Sequence, residues 1–151
     1  IGSGLVGSEM CIRDRLCEAA RVLEDRQLMD RANRLALDVT DACLAEGLSD
    51  KGYMMYEKKG GRTTGHASWW GQIETMIACV NAWQISGNDV YLQSADTVWT
   101  FVKDCMIDRE YGEWYSDCFD GEPKKDTPKV SMWRCPYHTV RLGVEIHNRL
   151  K

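Results

Sequence analysis

The sequence predicts an all-α fold of paired helices joined by short β-hairpins. Three observations carry that prediction. Apolar residues recur at helical spacing in five separate segments. Ala19, Leu28, Ala32, Leu35 and Val39 are echoed by Ala82, Tyr91, Ala95, Val98 and Val102, at a constant offset of 63 positions. Gly52 and Gly112 each precede a short β-prone run, one in either unit. A unit of helix, link, helix and hairpin is longer than the common short solenoid repeats and suits helical hairpins set in a ring or an open array.

The 151 residues are enough for one domain with a real core. Hydrophobic residues make up 44% and charged residues 28%, the balance of a soluble globular protein. A net charge of -4 with no Lys/Arg-rich run argues against nucleic acid as a partner. No apolar run approaches the roughly 20 residues that cross a bilayer, so no membrane role is expected. The seven cysteines are odd in number and none has Cys-x-x-Cys spacing. They read as packing thiols of a reducing cytoplasm, without disulfides or structural zinc.

Residues 1–15 show no apolar period and no signal-peptide pattern. Glu9-Met10-Cys11-Ile12-Arg13-Asp14-Arg15 resembles the translated end of a transposon adapter used in sequencing libraries. The expectation is that 1–15 is an artefact outside the fold, that the fold occupies 16–151, and that the natural protein continues upstream of Leu16.

Leu16, Ala19, Ala20 and Leu23 open the first helix. Leu28, Ala32, Leu35, Val39, Ala42 and Cys43 line the second, which Gly47 can end in the left-handed conformation. Tyr53–Tyr56 reads as a short strand and Lys58–Thr64 as a polar loop. Ser68 can cap the third helix, whose apolar stripe runs from Trp69 through Ile73, Met76 and Val80 to Trp83. Gly87 closes it, and Asp89 can cap the fourth, which runs from Tyr91 to Met106. Both carry apolar residues around much of their circumference and should be flanked by other helices. Trp114–Cys118 reads as a strand, Asp120-Gly121 as a turn and Lys129–Met132 as the returning strand. The last helix runs from Pro136 to about Leu150.

The chemistry-bearing stretch is Trp133-Arg134-Cys135-Pro136-Tyr137-His138, with Arg141. Pro136 suits the first position of a helix, which puts His138 in the first turn. The partial positive charge there disfavours imidazolium and leaves a ring ready to accept a proton. Arg141, three residues on, shares its face. It could hold His138 or an oxyanion, or pair with Glu145. A neutral base, a cation and the flat wall of Trp133 suit proton abstraction beside a carbonyl on a sugar-sized substrate. Glu74 lies on an apolar face where a carboxylate needs a partner. Of Trp69 and Trp70, one can stack on a sugar while the other is core. His66 and His147 are assigned structural or solvated roles. Three histidines scattered at 66, 138 and 147 give no metal-ligand spacing, and no cofactor is expected.

Three motifs resemble the N-acylglucosamine 2-epimerase family and, within it, the cellobiose 2-epimerases. Trp69-Trp70-Gly71-Gln72-Ile73-Glu74 looks like the family's Trp-Trp-x-Gln-Ala-Glu helix start. Gly112-Glu113-Trp114-Tyr115 is similar to its Gly-Glu-Trp hairpin. Trp133–His138 with Arg141 resembles Trp-Lys-Cys-Pro-Tyr-His-x-x-Arg.

The resemblance implies the C-terminal part of an (α/α)6 barrel and epimerisation at C2 of a reducing sugar through an enediolate. His138 matches one of the family's two catalytic histidines; Trp69, Trp70, Glu74, Trp133 and Arg141 are the expected substrate-binding residues. The other histidine belongs to a Gly-His-x-x-Glu motif just before Leu16, where the adapter-like string stands, so the chain alone should be inactive. The substrate stays open among N-acetylglucosamine, cellobiose, mannobiose and mannose. Aldose–ketose isomerisation, hydrolysis on a similar barrel and a non-catalytic helical scaffold are the alternatives.

Overall fold

The computed structural model describes residues 4–151, with side chains from residue 10 onward apart from 13 and 14. A two-residue strand β1 (Gly4–Leu5) leads into helix α1 (Val6–Val22), which pairs with α2 (Arg26–Gly47). The second helical pair is α3 (Trp69–Ser86) and α4 (Val90–Phe101), continued by a π-helical turn over Val102–Met106. Helix α5 (Tyr137–Arg149) packs on α3. The adapter-like string, set outside the fold above, is helical from Val6 and continuous with the segment that begins at Leu16. Met10 is buried there beside Cys43, Met54 and Ala78.

Helix α3 is the centre of the molecule, touching α1, α2, α4 and α5. Every residue from Gly71 to Ala82 is buried, which is what an all-round apolar helix requires. Helix α4 is less enclosed: it buries Tyr91, Val98 and Phe101, while Leu92, Ala95 and Trp99 border an open apolar groove.

The helix ends follow local chemistry, with three differences from expectation, the first being that Ser68 stands at the α3 N-cap without a side-chain cap bond. Asp25 caps α2 by accepting from the Leu28 N–H at 3.0 Å. Gly47 is not left-handed. It is the last helical residue, and Leu48 turns extended to form a bridge with Met54. Gly87 does close α3 in the left-handed conformation, at φ 69°. Asp89 stands at the α4 cap position without capping. Its carboxylate takes the Trp83 indole N–H, and Asn88 accepts from Val90 instead.

The strands are displaced from the expected places. Tyr53–Tyr56 is not a strand, because the side chain of Gln72 replaces a neighbouring one. Its Oε1 accepts from the Met54 N–H and its Nε2 donates to the Met54 carbonyl, both at 2.8 Å. Strands β2 (Glu57–Lys59) and β3 (Arg62–Thr64) form a hairpin in the expected loop, turning at Gly60-Gly61, and β1 adds to it.

A second sheet is ordered β4–β5–β6. Strand β4 (His66–Ser68) enters α3 directly, and β5 (Asp117–Phe119) turns at Asp120-Gly121 into β6 (Glu122–Pro123). Lys129–Met132 is therefore not the returning strand, since both edges of β5 are already taken. That segment is tied down by side chains: Lys129 bonds Asp108 and the Gly112 carbonyl.

Gln72 is fully buried and also donates to the Ser68 carbonyl at 3.1 Å. Gln72→Ala strands both Met54 backbone groups, a loss of about 1–3 kcal/mol. Urea denaturation should show the lower midpoint, and an unchanged midpoint would refute the bridging role.

Candidate active site

Buried Arg134 holds the segment ahead of α5. Its Nη1 donates to Ser116 Oγ at 2.6 Å and its Nη2 to the Trp114 carbonyl. The guanidinium carbon lies 4.8 Å from the centre of the Trp69 ring. The Trp69 backbone N–H donates to the Ser116 carbonyl at 2.9 Å, so the starts of α3 and α5 share one anchor. Pro136 is the N-cap residue, one position ahead of the expected first helical place, and His138 lies in the first turn.

His138 and Arg141 converge on Glu74 from α5. The His138 Nδ1 lies 2.8 Å from Glu74 Oε1, and Arg141 Nη1 donates to Oε2. Glu74 is 1% exposed in the middle of α3. Burial alone would raise its pKa, but the hydrogen bonds from His138 and Arg141 and the guanidinium charge outweigh it. The carboxyl is held below the usual range. An ionised carboxylate can only accept, so Nδ1 carries the hydrogen in this contact, and the tautomer that keeps it has its lone pair on Nε2. Glu145, the alternative partner, lies at 3.8 Å from Arg141 Nε and takes second place. Cys11 on α1 feels the same carboxylate: burial first, then Glu74, pushes its thiol up.

Beside this cluster lies a cavity of about 490 Å³. His138, Trp69, Trp70 and Trp133 border it, as do Tyr56, His66, Ser68 and Asp117. The His138 ring sits among aromatics, with centroids 4.9 Å from Tyr137, 6.3 Å from Trp70 and 6.4 Å from Trp69. Trp133 is 88% exposed and presents nearly its whole surface. Four of the six expected site residues thus border the cavity, while Glu74 and Arg141 stand behind His138. Both tryptophans of the Trp-Trp pair border the cavity, and Trp69, as expected of one of them, also packs against the core. His66, expected to be structural or solvated, borders it too. Its signal was hidden because strand β4 is only three residues long.

Burial pushes the thiols of Cys79 and Cys118 up to about 12. Among the described residues no three His, Cys, Asp or Glu side chains gather as a metal site, and no helix is long and apolar enough to cross a membrane.

Residues 14–141 match the family described as N-acylglucosamine 2-epimerase (GlcNAc 2-epimerase). The chain is 37% identical over 136 residues to a cellobiose 2-epimerase of Bacteroides fragilis, covering 87% of this chain and 34% of that protein. It is 34% identical over 140 residues to one of Ruminococcus albus, covering 91% and 35%. The chain spans about a third of the length of these curated relatives. A crystal structure of a sugar epimerase from a ruminal bacterium superposes with a TM-score of 0.92 at 30% identity, over 99% of this chain and 39% of that one. Cellobiose 2-epimerase from Bacillus thermoamylovorans superposes at 0.85 with 29% identity, over 99% and 38%. The chain belongs to the N-acylglucosamine 2-epimerase family, and its helical pairs are part of an (α/α)6 barrel.

Proposed function

We propose that residues 16–151 are the C-terminal part of a cytoplasmic sugar 2-epimerase, acting on cellobiose or an N-acylglucosamine, and that 1–15 is an adapter-derived string. The family match begins at residue 14, next to that boundary. The observation that carries the enzymatic reading is the His138–Glu74 contact at the cavity wall.

The proposed chemistry begins with the open-chain aldose in the cavity, its faces against Trp70 and Trp133. Glu74 holds Nδ1–H, and Nε2 of His138 takes the C2 proton as the C1–C2 enediolate forms. A second acid returns a proton to the opposite face of C2, exchanging gluco and manno configurations. By the family's pattern that acid belongs to the Gly-His-x-x-Glu motif, so the chain alone is inactive. Arg141 keeps Glu74 ionised and in place. This arrangement suits a base better than glycoside hydrolysis, because both Glu74 oxygens are engaged and its proton affinity is lowered.

In the full-length protein, incubation with cellobiose in D2O should place deuterium at C2 of a mannose-type product. His138→Asn should slow this about 10²–10⁴-fold. Absence of exchange with cellobiose, N-acetylglucosamine and mannose from a folded protein would refute the epimerase reading. Glu74 also makes a pH prediction. Its folded pKa lies below the ordinary carboxylate range, so its stabilisation is complete above that range and is lost as pH falls through the folded value. Acidification from about pH 5 to about pH 3 should lower the melting temperature more in the wild type than in Glu74→Gln. Equal losses would refute the linkage.

A further inference from the structure

Trp133 borders the cavity with nearly all of its surface exposed, so what fixes its place is the backbone that carries it. That backbone is a two-residue hairpin. The Ser131 N–H donates to the Arg134 carbonyl at 2.9 Å and the Arg134 N–H to the Ser131 carbonyl at 3.1 Å, leaving Met132 and Trp133 at the tip. The Trp133 N–H donates to Ser131 Oγ at 3.3 Å. No further strand braces this hairpin, because β5 already pairs with β4 and β6. Arg134, held by Ser116 and Trp114, anchors the arm that leads to α5. Lys129 anchors the arm that arrives from β6.

The Lys129 anchor is shaped for a cation. Asp108 lies just beyond the π-helical turn and is buried. Its Oδ1 accepts the Glu110 N–H at 2.9 Å and the Tyr111 N–H at 3.1 Å, which closes the turn leading to Gly112. Its Oδ2 takes the Lys129 ammonium. The ammonium also donates to the Gly112 carbonyl at 2.8 Å, and lies 5.2 Å from the centre of the Tyr115 ring and 5.9 Å from that of Tyr111. The hydrogen bond from Lys129, with those from the two amides, holds the Asp108 carboxyl well below the usual carboxylate range, so it is an anion at neutral pH. Withdrawing Lys129 would leave that buried charge without its cation.

Neither residue borders the cavity, so neither can touch a sugar there. Resting on the 2-epimerase reading, we infer that Asp108 and Lys129 are positioning residues: their ion pair holds the arm of the 131–134 hairpin and thereby keeps Trp133 in place against the substrate.

The test uses the full-length protein with Asp108→Asn, Lys129→Met, Trp133→Ala and the double variant of the last two. Asp108→Asn keeps an acceptor for the two amides and removes only the charge. In fluorotryptophan-labelled protein, the Trp133 resonance, identified by its loss in Trp133→Ala, should shift in both clamp variants with no sugar present. KM for cellobiose should rise about 3–10-fold in each, the worth of one aromatic contact, with kcat within about twofold because His138 is untouched. The double variant should bind cellobiose no more weakly than Trp133→Ala alone. An unmoved Trp133 resonance overturns the inference, as do a fall in kcat at unchanged KM, additive losses in the double variant, and unchanged calorimetric binding of cellobiose in the clamp variants. If the resonance shifts and binding weakens while the wild type exchanges no C2 hydrogen, the epimerase reading falls and the clamp stands.

Discussion

The structure depends on one buried carboxylate. Glu74 lies inside the most enclosed helix, where an unpaired charge would be expelled or neutralised. It is tolerated because α5 brings a guanidinium and an imidazole to its two oxygens. The same contacts dock α5 on α3, fix the His138 tautomer and bring its ring to the cavity wall. Fold and candidate chemistry therefore share one electrostatic constraint, and it crosses 64 residues of sequence.

Other buried polar groups extend this frame. Gln72, two residues before Glu74, turns its amide to the Met54 backbone and fastens the 53–56 segment beside α3. Arg134 joins the approach to α5 to Trp114 and Ser116 and covers the Trp69 ring. Helix α3 is thus the reference on which separate walls are hung. The rigidity of the cavity comes from paired donors and acceptors as much as from apolar burial.

The site was only partly legible in the sequence. His138 was readable because a proline, a following histidine and an arginine three residues on carry their geometry locally. The need of Glu74 for a partner was readable from its apolar face; the partner was not, because α3 and α5 meet only in three dimensions. Tyr56, His66, Ser68 and Asp117 were missed for a similar reason. A three-residue strand has too little alternation to be recognised, and the pairing that puts His66, Ser68 and Asp117 on one face joins segments about 50 residues apart.

By itself the sequence determined the helical pairs, their apolar faces, most of their ends, and the place of His138 in the first turn of the last helix. These follow from periodicity, capping and φ preferences, which act over a few residues. Tertiary structure alone decided which strands pair, that Gln72 stands in for a strand beside Met54, that Arg141 chooses Glu74 over Glu145, and that a second histidine borders the cavity. Each of these is a competition among partners distant in the chain, won by burial and by the cost of leaving a polar group without a mate.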